Sequence, residues 1–283
     1  MIEVFLNNIG NESNTMKESL RELRTNIRFC GDDIRTILFT STLPNEGKST
    51  VVMKLGQSIA ESGNRVLIID SDMRKSVLIG RHRVRRDDGK SVDGLSHYLS
   101  GQKELGDVLC KTQIDNLFII FAGRSVVNPT ELLEKEYYHR LIQAVREKFD
   151  YILIDCAPLG AAIDAAVVAA DADGAVIVIG QGEVEKKAVI GIKRQLEASG
   201  VRILGAVLNK VDMKKSHYYG RYYGGRYGGY YGSYYGKYYG AYGETENEAG
   251  EPKRKRRRKK HGINSPETAK PDETENHETQ KTS

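Results

Sequence analysis

The sequence predicts an α/β domain built on a doubly wound, mostly parallel sheet and followed by a disordered tail. Three observations carry this reading. Short apolar, β-rich runs recur along most of the chain, helix-length amphipathic segments alternate with them, and polar motifs stand where the runs end. Beyond about Val211 the apolar periodicity stops, which leaves about 70 of the 283 residues as a tail. The expected boundaries are a domain over 1–215, a Tyr/Gly-rich segment over 216–243 and a charged segment over 244–283.

The chain begins "MIEVFLNNIGNESN", which lacks the basic start and apolar stretch of a signal peptide. The next segment, "TMKESLRELRTNIRF", spaces Met16, Leu20, Leu23 and Ile27 as one helical stripe. Beside that stripe Glu18, Arg21 and Arg24 fall within a band of roughly 120°, so they form one charged face: a solvated surface or an interface. Strands are predicted at 36–40 (TILFT), 65–70 (RVLIID), 117–121 (LFIIF), 151–155 (YILID), 175–179 (AVIVI) and 202–209 (RILGAVLN). Their near-continuous apolar character is that of parallel strands buried on both faces. Helices are predicted over 49–62, 131–148 and 185–199, with Gly63 and Gly200 where C-caps belong. In such a sheet, ligands gather at the carboxyl ends of the strands, and "STLPNEGKS", "DSDMR" and "DCAP" all emerge there.

Composition narrows the setting. Cys30, Cys110 and Cys156 have no metal-ligand spacing and suit reduced thiols. The most apolar stretch, 159–180, is interrupted by Asp164, Asp171 and Asp173, so a membrane span is not expected and a cytoplasmic location is. The net charge of +5 conceals the eight cations of "KRKRRRKK", Lys253 to Lys260, which read as a solvated run, a contact for an anionic membrane or a nucleic-acid contact.

"TSTLPNEGKST" follows a strand and opens a helix, which is the context of a P-loop NTPase-like phosphate loop. Asn45, Glu46, Gly47, Lys48, Ser49 and Thr50 form its nucleotide-binding part, with Lys48 reaching the β/γ oxygens of ATP and the Ser49 hydroxyl available to Mg²⁺. Thr42 stands where the pattern usually has its first glycine. Because Lys48 sits on a loop, it is expected to support no core. Asp70 and Asp72 end one strand and Asp155 ends another, so three carboxylates reach the same rim and join Ser49 as expected Mg²⁺ ligands.

Twelve of the 16 tyrosines lie in one tetrad repeat: Tyr218, Tyr219, Tyr222, Tyr223, Tyr227, Tyr230, Tyr231, Tyr234, Tyr235, Tyr238, Tyr239 and Tyr242. Glycine recurs every fourth residue from Gly220 to Gly240, which breaks helices and leaves nothing to bury a strand face. Composition alone allows an aromatic sticker, a spacer or a row of phenol acceptors.

Taken together, "ESLRELRTNI", "TSTLPNEGKST", "VLIIDSDMR", "GLSHYLSG", "AGRSVVNPTELL", "YILIDCAP", "GAVLNKVD" and the tyrosine tail resemble, in order, the bacterial tyrosine kinases. The likeness is to the cytoplasmic capsule or exopolysaccharide type without its own membrane span. It implies a Walker A loop over 42–50, an A′ motif at Asp70 and Asp72, and Walker B at Asp155. It further implies that Glu18, Arg21 and Arg24 are the family's ring contact, that the tyrosine run is the phosphoacceptor, and that Asn209 meets adenine. The implied partners are a transmembrane polysaccharide co-polymerase or activator, a cognate tyrosine phosphatase and further copies of the chain in a ring. The expected chemistry is γ-phosphoryl transfer from ATP to tyrosine, with Asp70 as base and Asp72 and Asp155 organising Mg²⁺. Related deviant Walker ATPases of partition and division sites carry a signature lysine where this chain has Leu43. A nucleotide-gated Tyr/Gly scaffold is the non-enzymatic alternative. Nucleic-acid binding through "RHRVRR" at 81–86 lacks a reading module and is not expected to be specific.

Overall fold

The structure, a computed structural model, describes residues 1–10 and 12–212. The tyrosine repeat, the basic block and the boundaries expected at 216 and 244 lie outside the described residues. In chain order the elements are β1 (Ile2–Phe5), α1 (Asn14–Phe29), β2 (Thr36–Ser41), α2 (Lys48–Ala60), β3 (Val66–Asp70), α3 (Leu78–His82) and β4 (Arg85–Arg86). They continue as α4 (Leu95–Leu99), α5 (Leu105–Val108), β5 (Leu109–Lys111), β6 (Leu117–Ile120), α6 (Pro129–Leu133), α7 (Glu136–Arg146), β7 (Tyr151–Asp155) and α8 (Asp164–Val168). A 3₁₀ turn (Ala169–Asp171), β8 (Gly174–Gly180), α9 (Lys186–Ala198) and β9 (Ile203–Asn209) complete the order.

All six strands expected from sequence are present and form one parallel block, β6-β3-β7-β2-β8-β9, inside a nine-stranded sheet. Their side chains divide by the two-residue period of a strand. Leu38, Leu67, Ile69, Ile152 and Ile154 face one core with α4, α6, α7, α8 and α9. Ile37, Phe39, Val66, Ile68 and Leu153 face the other, with α1, α2 and α3. Both faces are covered for β6, β3, β7, β2 and β8, which is why these runs read as apolar throughout rather than as alternating, whereas the edge strand β9 is half-buried to exposed.

The other three strands continue the sheet at one edge in the order β4-β1-β5. β5 runs antiparallel to β6, and β1 pairs parallel with β5 and antiparallel with β4. The N-terminal residues are therefore part of the sheet, anchored by buried Val4 and Leu6. The Gln113 side chain donates to Leu6 O and accepts from Leu6 N, at 2.8 and 3.0 Å.

One expected helix differs. The segment 131–148 is two helices, α6 and α7, with Lys135 extended between them (φ −70°, ψ 150°). In a single helix, Leu133 would lie about 140° round from Tyr138, at about 100° per residue. The break allows Leu133 as well as Tyr138, Leu141, Ile142 and Val145 to be buried. Gly63 (φ 91°) and Gly200 (φ 82°) end their helices as expected, in the left-handed region.

The aspartates that interrupt 159–180 are all in use. Asp173 accepts from Arg35 N and Thr36 N at 3.0 and 2.7 Å, which fixes the start of β2, and pairs with Arg146. Asp171 pairs with His139. Among the described residues, no helix is long and apolar enough to cross a membrane. Asp173→Ala is expected to cost about 1–3 kcal/mol of unfolding free energy, because it strands two backbone donors and one guanidinium. Urea denaturation measures this.

Candidate functional site

The loop after β2 is shaped by its own buried carboxylate. Glu46 accepts from Leu43 N at 2.7 Å and from Gly180 N, at the end of β8, at 3.0 Å. It is 1% exposed. Glu46 therefore holds the loop to the sheet with its side chain, a role that its place in the motif does not announce. Asn209, at the end of β9, donates Nδ2–H to Glu46 O at 2.9 Å. Gly47 adopts φ 89°, and a Cβ there would lie 2.1 Å from Asn209 Nδ2. Glycine is thus required twice, by the left-handed turn and by the close approach of Asn209. Asn45 is also left-handed (φ 70°), a conformation that asparagine tolerates better than most residues.

The turn delivers Lys48 to the first position of α2. The first intrahelical bond is Val51 N to Gly47 O at 3.0 Å, so the Lys48, Ser49 and Thr50 amides are the outward-facing donors of a helix start. Lys48 Nζ forms a buried ion pair with Asp155 and lies 3.5 Å from Ser49 Oγ. Thr50 Oγ1 accepts from Arg81 Nη1 at 2.6 Å.

Asp70 and Asp155 are register partners on the adjacent parallel strands β3 and β7, and both are 1% exposed. Burial, together with the Asp155 charge, pushes the Asp70 carboxyl up to about 7, against the pull of the Ser76 hydrogen bond and Lys48. Ser76 Oγ donates to Asp70 Oδ2 at 2.5 Å, and Asp72 N to Asp70 Oδ1 at 3.2 Å. Asp72 is half-buried and accepts from Lys75 N at 3.0 Å. Burial alone would lower Lys48, but the attraction of Asp155, with Asp72 and Asp70 behind it, leaves its pKa raised. Lys48 is charged across the working range.

Lys48, Ser49, Asp70, Asp72 and Asp155 are thus brought to one rim. The Ser49, Asp70, Asp72 and Asp155 oxygens are hard donors of the kind Mg²⁺ takes. Among the described residues, no three His, Cys, Asp or Glu side chains close into a metal site alone. Mg²⁺ is commonly bound by one or two carboxylates and completes its shell with phosphate oxygens and water.

Sequence reading assigned no role to Arg74 or Asp164. Arg74 forms a bidentate pair with Asp164, Nε–Oδ2 2.8 Å and Nη2–Oδ1 3.0 Å. Thr130 Oγ1 donates to Asp164 Oδ1 at 2.6 Å. Asp164 is fully buried. This bracket ties the A′ loop to the starts of α6 and α8. An Asp inside an apolar run marked Asp164 as unusual, but nothing local marked Arg74, 90 residues away, as its partner.

The helix-face residues are separate from this rim. Glu18 and Arg21 are exposed and paired at 3.1 Å on α1. Arg24 instead turns to α2, donating to Ser58 O at 2.7 Å. The tyrosines lie outside the described residues.

Residues 35–201 match the family model of an AAA domain. The chain is 38% identical over 202 residues to tyrosine-protein kinase CpsD of Streptococcus agalactiae, covering 71% of this chain and 86% of that protein. It is 31% identical over 205 residues to tyrosine-protein kinase YwqD of Bacillus subtilis, covering 72% and 84%. Among solved structures, the kinase domain of Escherichia coli tyrosine kinase ETK matches with a TM-score of 0.64 and 31% identity, covering 69% of this chain and 75% of that one. The septum site-determining protein MinD of Pyrococcus horikoshii, complexed with Mg-ADP, matches at 0.52 and 25%, covering 63% and 71%.

The raised Asp70 pKa makes a signed prediction for the protein without metal or nucleotide. The folded state holds a proton on Asp70 that the unfolded chain releases near the ordinary value of 3.8. That contribution to stability is complete below about pH 4 and is lost as pH rises through about 7. Asp70→Asn removes the ionisation, so its stability relative to wild type should rise between pH 5 and pH 8. Thermal melts across that range test it, and a constant difference would contradict the assigned pKa.

Proposed function

The chain belongs to the bacterial tyrosine kinases, and we propose that it transfers the γ-phosphoryl group of ATP to tyrosines of its own C-terminal repeat, on neighbouring copies in an oligomer. The observation that carries the reading is the convergence of Lys48, Asp70 and Asp155 on a phosphate loop at the ends of adjacent strands. By analogy with the capsule and exopolysaccharide kinases, the activity would regulate polysaccharide synthesis and export through a transmembrane co-polymerase, with a phosphatase resetting the tail.

The helix-start amides of Lys48, Ser49 and Thr50 bind phosphate oxygens. Lys48 is shared between Asp155 and the β/γ oxygens, so phosphate competes with a carboxylate for its charge. Mg²⁺ held by Ser49 Oγ, Asp72 and Asp155, with Asp70 at its edge, would neutralise charge on the phosphate oxygens. Asp70 accepts the proton of the incoming phenol. A carboxylate within hydrogen-bond reach assists at neutral pH, where tyrosine's own pKa near 10 leaves little phenolate. Asn209 gives one Nδ2–H to Glu46 O, and its Oδ1 would meet the adenine amino group. The division-site ATPase reading is less well supported: the signature lysine is replaced by Leu43, and the likeness to MinD is weaker than that to ETK.

Lys48→Met should abolish phosphotyrosine formation after incubation with Mg-ATP, read by mass spectrometry of the full chain. Persistent phosphotyrosine would sink the kinase assignment. The buried pair with Asp155 corrects the expectation that this lysine is neutral for the fold. Its loss leaves a buried carboxylate without a partner, at about 3–5 kcal/mol, and Lys48→Met combined with Asp155→Asn should recover most of that.

The ring-contact reading can be divided between the two arginines. Arg21→Ala should lower the oligomer mass in light scattering with little change in stability, since its pair with Glu18 is exposed. Arg24→Ala should also cost about 1 kcal/mol in denaturant, through the lost bond to Ser58 O. Unchanged mass in both variants would return this face to solvent.

A further inference from the structure

We infer that Arg81 is a phosphate-binding residue of the nucleotide site, held on the first turn of α2 by the N-terminal arm of the chain. The inference rests on the reading of 42–50 as an ATP-binding loop. It adds a cation that the loop itself does not supply, and it gives a use to the "RHRVRR" run.

The first argument is hydrogen-bond stoichiometry. Arg81 Nη1 donates to Thr50 Oγ1 at 2.6 Å. A hydroxyl has one proton and two lone pairs, so a donor on the oxygen leaves the Thr50 proton to seek an acceptor. Thr50 is the third residue of α2, where its own amide also lacks an intrahelical partner. Guanidinium, hydroxyl and amide are then three donors in one place, and an anion satisfies all of them.

The second argument is charge. Lys48, Arg74, Lys54 and Arg86 are each neutralised, by Asp155, Asp164, Glu12 and Asp88. Among the described residues Arg81 has no ion-pair partner, and the side-chain contact it makes is to a neutral hydroxyl. A cation at the positive end of a helix dipole is unfavourable by itself. A bound phosphate reverses the sign of that interaction.

The third argument is that the placement is constructed. Asn8 Nδ2 donates to Arg81 O at 3.0 Å, Asn8 N to His82 O at 3.2 Å, and Asn7 Nδ2 to Arg83 O at 2.9 Å. A ring nitrogen of buried His82 lies 2.8 Å from Asn8 O. Arg83 then turns left-handed (φ 46°), and β4 pairs with β1 through Val4–Arg86 and Phe5–Arg85. The backbone from Arg81 to Arg83 is clasped by residues that precede the matched AAA segment, 35–201.

The position also selects the phosphate. Lys48 is turned toward Asp155, with Asp70 and Asp72 nearby. Thr50 is two residues on, about 200° round the helix, so Arg81 approaches away from those carboxylates. It therefore serves a phosphate common to ADP and ATP rather than the one transferred.

The test uses the full chain with Mg²⁺ and the fluorescent probes mant-ADP and mant-ATP. Arg81→Ala should weaken both by the same factor, roughly 10- to 100-fold, the range of a hydrogen bond to a charged group. Its binding should also depend less on salt than that of wild type. Arg81→Lys should fall between the two, and Asn8→Ala should weaken both probes in the same proportion. Thr50→Val combined with Arg81→Ala should weaken binding by less than the product of the single effects. A purely structural arginine would lower the melting temperature without nucleotide and leave probe affinity within twofold, which overturns the proposal. Loss for mant-ATP alone would overturn the choice of phosphate. A wild-type chain that binds both probes but forms no phosphotyrosine refutes the kinase reading and leaves the arginine's test standing.

Discussion

The site is organised by the crowding of two carboxylates. Asp70 and Asp155 end neighbouring parallel strands in register, both buried, so their separation is set by the sheet and cannot relax by moving a loop. Two like charges this close in a low-dielectric setting cannot both ionise without a counter-charge. Lys48 supplies it, and reaches Asp155 because Gly47 turns left-handed and Glu46 fixes the loop to β8. The conformation of the phosphate loop and the ionisation of the strand ends are therefore one problem. What shapes the loop also bears on the charge state of Asp70. Burial first, and the same crowding second, raise the proton affinity of Asp70 in the protein without metal.

The parallel centre of the sheet was legible because it is buried on both faces. Each of its strands is a run of aliphatic residues whose type does not depend on which neighbour it pairs with. The edge was less legible. β1, β4 and β5 have two to four residues each, too few for a period to register, and they exist as strands through their partners. Still, Val4 and Leu6 carry an alternation that could have been read. The split between α6 and α7 was also implicit, in the phase difference between Leu133 and Tyr138. At the site, Lys48 was legible from the phosphate-loop motif, and Asp70, Asp72 and Asp155 because they stand at or just past strand ends. Glu46, Arg74 and Asp164 have roles that depend on long-range partners: Gly180 lies 134 residues from Glu46, and Asp164 lies 90 from Arg74. No local pattern encodes such pairs.

Helix α1 shows the limit of face arguments. Spacing places Glu18, Arg21 and Arg24 in one band, but a band has edges. Arg24 lies at the edge nearer α2, where its guanidinium finds an unpaired carbonyl, while Glu18 and Arg21 stay with each other in solvent. A hydrogen-bonded arginine spent on the fold is partly withdrawn from any neighbour. An exposed ion pair contributes about 0–1 kcal/mol, so exchanging it for a partner on another copy of the chain costs little. The helix can thus be anchored by one arginine and keep the other for an interface.

The same distinction sorts the cations of the rim. Those paired with buried carboxylates are bound to the fold, and their removal is felt first as lost stability. Lys48 belongs to this group, and under the proposed ATP reading phosphate would compete with Asp155 for it. Arg81 is different. It is fixed by neutral contacts to Thr50 and by the clasp of Asn7 and Asn8, and its charge is unspent. A site that holds one cation against its own carboxylates and a second without any can separate two tasks, with Lys48 reporting the state of the transferred phosphate and Arg81 retaining the part of the nucleotide that does not change. The N-terminal strand then bears on nucleotide affinity without touching the nucleotide.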